Sequence, residues 1–143
     1  MRPSGSVWGG GAGGRGRGKG GVSGAGGRLG GTWSCGSRFC EEPGRKREER
    51  LAAAEAACYS MALSVGLEQA GSPPTKIETK AACTVEKVPE GFAITTMKLV
   101  VRATVPGISN DAFLKIAQAT KEGCPVSKAL KGNVKIDLDA ALV

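Results

Sequence analysis

The chain has 143 residues, 23 of them glycine, with 20 Lys and Arg against 13 Asp and Glu and no histidine. That length suits one domain, and the missing histidine excludes Ser-His and Cys-His catalysis and any imidazole metal ligand. The five cysteines, Cys35, Cys40, Cys58, Cys83 and Cys124, show no CxxC spacing, which argues against a zinc centre or a secreted disulfide framework, and their odd number leaves at least one thiol free.

The first third of the chain differs from the rest. It holds 16 of the 23 glycines within 40 residues, and residues 1–50 carry ten Lys and Arg against four Glu, whereas the remainder is nearly balanced at ten against nine. No apolar run is long enough to span a membrane and the glycine-rich start lacks the apolar block of a signal peptide, so the expected location is the cytoplasm, with no membrane partner. Read alone, Arg15-Gly16-Arg17-Gly18-Lys19-Gly20-Gly21 is a flexible basic tail, because so much glycine has little to bury and loses much backbone entropy on ordering.

A helix is expected from about Glu48 to Ala70, closed by Gly71 and Ser72-Pro73-Pro74. Leu51, Ala54, Cys58, Met61 and Val65 recur at spacings of three and four and form an apolar stripe, so Cys58 is expected to face a core or an interface. Ile77, Thr79, Ala81, Cys83 and Val85 alternate with polar residues as a half-buried strand, with Cys83 packed inward. Pro89-Glu90-Gly91 turns into a strand whose inner face is Met97, Leu99, Val101, Ala103 and Val105. Ser109 or Asn110 caps a second helix, with Phe113, Ile116 and Thr120 inward. Gly123 suits its end and Pro125 the start of a short third helix, which places Cys124 near an N-cap where backbone N–H groups favour a thiolate. Val134, Ile136, Leu138 and Ala140 alternate as a closing strand. The order of elements implies an α+β unit in which Cys58 is sheltered and Cys124 activated.

Two strings carry a resemblance: Ala52-Ala53-Ala54-Glu55-Ala56-Ala57-Cys58-Tyr59-Ser60-Met61-Ala62-Leu63 and Gly123-Cys124-Pro125-Val126-Ser127-Lys128-Ala129-Leu130. Together with Gly91-Phe92-Ala93-Ile94-Thr95 and Val105-Pro106-Gly107-Ile108, they make residues 51–143 resemble the OsmC/Ohr family of thiol peroxidases, and its OsmC branch most closely. The resemblance implies an α+β fold in which a mixed β-sheet wraps a long central helix, an intertwined homodimer and active sites at the subunit interface. It divides the chain into a Gly/Arg-rich segment, 1–36, of degenerate family strands or disorder, and a peroxidase domain, 37–143.

The same resemblance implies the chemistry. Cys58 would attack the peroxide O–O bond as a thiolate and become a sulfenic acid. Cys124 would condense with it, and an external dithiol of lipoyl type would reduce the disulfide, with no cofactor and no metal. Cys58 lies too deep in its helix for the dipole to lower its pKa, so a fixed cation is needed; the family's arginine falls on Arg38 and its glutamate on Glu48, which can orient the guanidinium. Ten helical residues rise about 15 Å, so Glu48 is expected to serve a Cys58 on an antiparallel partner helix. Apolar surroundings favour organic hydroperoxides over hydrogen peroxide.

Departures from the family pattern are Lys46-Arg47-Glu48-Glu49-Arg50 in place of Asn-Pro-Glu-Glu-Leu, Cys40 in place of an acidic residue, and Glu55 in place of a histidine. One turn from Cys58, Glu55 would oppose the thiolate. Two other readings remain at this level: an RNA- or anion-binding protein acting through the basic tail, against which stand its few arginines and few aromatics, and an inactive structural family member.

Overall fold

The computed structural model describes residues 7–12, 19–24, 30–34 and 47–143. The chain divides into two compact units, Met1–Arg47 and Glu48–Val143. In the first, β1 (Val7–Ala12), β2 (Lys19–Gly24) and β3 (Gly30–Ser34) form an antiparallel sheet in that order, with Trp8 opposite Ser23 and Lys19 opposite Ser34.

The second unit is built on α1 (Arg47–Gln69), β4 (Lys76–Val88), β5 (Gly91–Thr104), α2 (Asn110–Gly123), α3 (Pro125–Leu130) and β6 (Lys135–Leu142). β4 and β5 form an antiparallel hairpin turning at Gly91, whose φ of 131° disfavours a side chain. β6 runs parallel to β5, which requires a crossover, and α2 with α3 supplies it. The three-stranded sheet, in the order β4-β5-β6, is therefore mixed.

Local chemistry sets the helix limits. Gly71, at φ 80°, closes α1 in a Schellman arrangement: its N–H donates to the Glu68 carbonyl and that of Ser72 to the Leu67 carbonyl, both at 2.9 Å. Ser109, rather than Asn110, caps α2, its hydroxyl accepting from the Ala112 N–H at 3.3 Å. Cys124 serves twice, as the C-cap of α2 with its N–H on the Thr120 carbonyl and as the N-cap of α3, where Pro125 takes the first helical position.

The core lies where α1 and α2 meet the inner face of β5. Tyr59, Leu63 and Leu67 pack with Leu99, Val101, Ala103, Val105, Phe113 and Ala117. Gly66 permits close approach of the helices, since a Cβ there would lie 3.2 Å from Ile116 Cγ2. Tyr59 donates its hydroxyl to the Ala117 carbonyl at 2.9 Å, and the Ser60 and Thr79 hydroxyls hydrogen-bond to each other at 2.7 Å, tying α1 to α2 and to β4.

The expected apolar stripe of α1 does not enter this core. The buried face is Glu48, Ala52, Glu55, Tyr59, Leu63 and Leu67, whereas Met61 and Val65 are 67% and 46% exposed and Ala54 is exposed. Both faces are apolar because alanine fills α1. The larger Tyr59, Leu63 and Leu67 complement the β5 surface, and the weaker stripe of Leu51, Ala54, Cys58, Met61 and Val65 faces away from it.

Candidate active site

Cys58 lies mid-way along α1 and Cys124 at the α2–α3 junction, 66 residues apart in sequence. Their sulfurs approach to 3.1 Å with both thiols free. That is about 1 Å beyond an S–S bond of about 2.05 Å, so a small displacement closes the pair. The approach follows from the cap: because Cys124 both ends α2 and begins α3, its position is fixed by two helices that pack beside the core residues flanking Cys58.

The two thiols differ in the sense opposite to the sequence expectation. Cys124 is fully buried and Cys58 is half-buried. Cys124 makes no side-chain bond to the start of α3; the Val126 N–H there acts instead on Cys58, where it favours the thiolate. The helix start thus assists the neighbour of its own cap residue. Burial outweighs that assistance and pushes the Cys58 thiol up, with the contact to Cys124 and the charge of Glu55 acting in the same direction. A low-pKa nucleophile at Cys58 therefore calls for a cation.

The other expected site residues are placed unequally. Arg38 lies outside the described residues, as do Cys35 and Cys40. Glu48 is buried on the same helix as Cys58, about 15 Å away along its axis, where its charge acts on Cys83. Cys83 itself is half-buried on β4, and burial chiefly raises its pKa.

Glu55 is fully buried, and Ser127 Oγ donates to its Oε1 at 2.5 Å while Oε2 has no partner. Ser127 is the residue that sequence reasoning missed. Its signal was available in its spacing, three residues after Cys124 as Glu55 is three before Cys58. Next to this pair the Tyr59 phenol is driven well above its ordinary range, first by burial and then by Cys124 and Glu55, and so stays neutral. No cluster of three or more His, Cys, Asp or Glu suited to a metal occurs among the described residues.

Two free thiols held 3.1 Å apart by separate elements of an α+β frame are the arrangement of a thiol redox protein, and the comparisons specify which one. The OsmC-like protein family matches residues 47–139. Peroxiredoxin OsmC of Escherichia coli (strain K12) is 48% identical over 101 residues, covering 71% of each chain. The organic hydroperoxide resistance protein-like 1 of Staphylococcus saprophyticus is 30% identical over 103 residues, covering 71% of this chain and 72% of that one. The chain belongs to the OsmC/Ohr family, on its OsmC branch, and with that it is a peroxidase.

Solved structures show the same fold. OhrB of Bacillus subtilis aligns with a TM-score of 0.74 at 24% identity over 95% of this chain and 98% of that one. An organic hydroperoxide resistance protein from Elizabethkingia anophelis aligns at 0.76 and 20% identity over both complete chains.

Proposed function

We propose that the chain reduces organic hydroperoxides in the stress response of the cell. The Cys58 thiolate attacks the O–O bond, releases the alcohol and becomes a sulfenic acid; Cys124 condenses with it, releasing water and forming the Cys58–Cys124 disulfide, which an external dithiol of lipoyl type reduces. The observation that carries this reading is the 3.1 Å approach of two free thiols held by separate elements. Their exposure fits the division of labour, since the half-buried Cys58 can meet substrate and the fully buried Cys124 is kept for its neighbour.

Arg38 is the cation that Cys58 requires, and Glu48 orients it. Glu48 is too far along α1 to act on Cys58 of its own chain, so the complete site draws on a second copy in a homodimer, with α1 at its centre. The exposed Ala54, Met61 and Val65, on the same stripe as Cys58 and the half-buried Leu51, support that arrangement and supply apolar surroundings for an alkyl hydroperoxide. No helix among the described residues is long and apolar enough to cross a membrane. Family membership accounts for the folded unit that the nucleic-acid-binding alternative leaves without a role.

The test is hydroperoxide consumption with a dithiol reductant. Cys58→Ser abolishes it, and Cys124→Ser permits one turnover that leaves a trappable sulfenic acid on Cys58. Equal single-turnover rates in the two variants would refute the assignment. A lower kcat/KM for cumene hydroperoxide than for hydrogen peroxide would refute the substrate class.

A further inference from the structure

The hydrogen bond between Ser127 and Glu55 runs beside the thiol pair and joins the same two elements. Glu55 precedes Cys58 by three residues on α1, and Ser127 follows Cys124 by three on α3, so each sits one turn from its cysteine. Both are buried, Glu55 fully and Ser127 to 3% exposure, and the bond is short at 2.5 Å. A buried carboxyl on the face of α1 that packs on the core is costly, and an apolar side chain of similar size would fill the space without that cost. Its single partner among the described residues is a hydroxyl on the element that carries the second cysteine.

Resting on the peroxidase reading, we propose that Glu55 and Ser127 are positioning residues for the resolving step: their hydrogen bond latches α3 to α1 and holds Cys124 within reach of oxidised Cys58. In that step the sulfenic S–O bond breaks and the S–S bond forms. The Cys124 proton leaves with the hydroxyl as water, so no further oxidant is consumed. The geometry matters more here than in the first step. Attack on the hydroperoxide involves Cys58 and a diffusing substrate, whereas resolution needs two protein sulfurs to approach from 3.1 Å to bonding distance along one direction. Loss of the latch therefore slows resolution and spares the initial attack.

The experiment uses the full chain, reduced and then mixed with one equivalent of cumene hydroperoxide, with Cys58 sulfenic acid trapped by a dione probe at successive times and located by peptide mass mapping. In Ser127→Ala the lifetime of the sulfenic acid is expected to rise by about tenfold to a hundredfold, the range of losses when reacting groups are misplaced by about 1 Å, while the rate of hydroperoxide consumption in the first turnover stays within about twofold. Glu55→Gln keeps an acceptor oxygen for Ser127 and retains fast closure, which a requirement for the carboxylate charge would not allow; Glu55→Ala lengthens the sulfenic acid lifetime as Ser127→Ala does, while the loss of its charge quickens the initial attack. Unchanged sulfenic acid lifetimes in Ser127→Ala and Glu55→Ala, or an equal slowing of both steps, would overturn the latch. A wild-type chain that consumes no hydroperoxide would instead overturn the peroxidase reading on which it rests.

Discussion

Glu55 and Cys58 share one turn of α1, and the carboxylate of the first pushes the thiol of the second up, adding to the larger effect of burial. Glu55→Gln removes that charge, so the Cys58 pKa should fall and alkylation near neutral pH should quicken. Because folding raises this thiol above its ordinary 9.0, its contribution to stability is present below that pH and is lost as pH rises through the folded-state value; Glu55→Gln weakens that alkaline loss. The pH dependence of Cys58 alkylation, followed by mass mapping, measures the shift. An upward shift would contradict it.

Arg38 should act with the opposite sign. Arg38→Met keeps much of the aliphatic stem and removes the charge, so the Cys58 pKa should rise and peroxidase turnover should fall, each pKa unit corresponding to about 1.4 kcal/mol. An unchanged alkylation profile in this variant would remove Arg38 from the site.

The exposed stripe of α1 makes a separate prediction. Met61 is 67% exposed and touches little of its own unit, so Met61→Lys should leave the secondary structure intact by circular dichroism. It should weaken the homodimer, seen as a lower mass in light scattering, and reduce turnover with it. A full-size, fully active Met61→Lys protein would argue that the stripe covers no second copy.

Core substitutions should rank by what they remove. Leu63 is fully buried, and Leu63→Ala is expected to cost about 2–5 kcal/mol in urea unfolding. Tyr59→Phe keeps the ring and loses only the bond to the Ala117 carbonyl, for a cost of about 0.5–1.5 kcal/mol. A reversed order would place the helix contact, rather than apolar burial, at the centre of the unit's stability.

Much of the second unit was legible in the sequence because its signals are local. The alternation in β4, β5 and β6, the Ser109 cap, Gly71 and Pro125 each state a backbone preference that the fold keeps. The inward face of α1 was not legible, since an alanine-rich helix offers two apolar stripes and only the β5 surface decides between them. The environments of the two thiols were misread for a related reason. A cap position exposes a side chain only when nothing packs over it, and Cys58 lies against Cys124 while the Val126 N–H turns to Cys58. Ser127 escaped notice because its meaning depends on Glu55, 72 residues earlier.

The most direct measurement is the location of the bridge formed by one equivalent of an organic hydroperoxide on the reduced chain, read by peptide mass mapping without reduction. The 3.1 Å approach of the free thiols predicts that Cys58 and Cys124 are joined, with Cys83 still free and peroxide consumed in equal amount. A product in which Cys35–Cys40 is the only disulfide, with Cys58 and Cys124 both still alkylatable, would contradict the account.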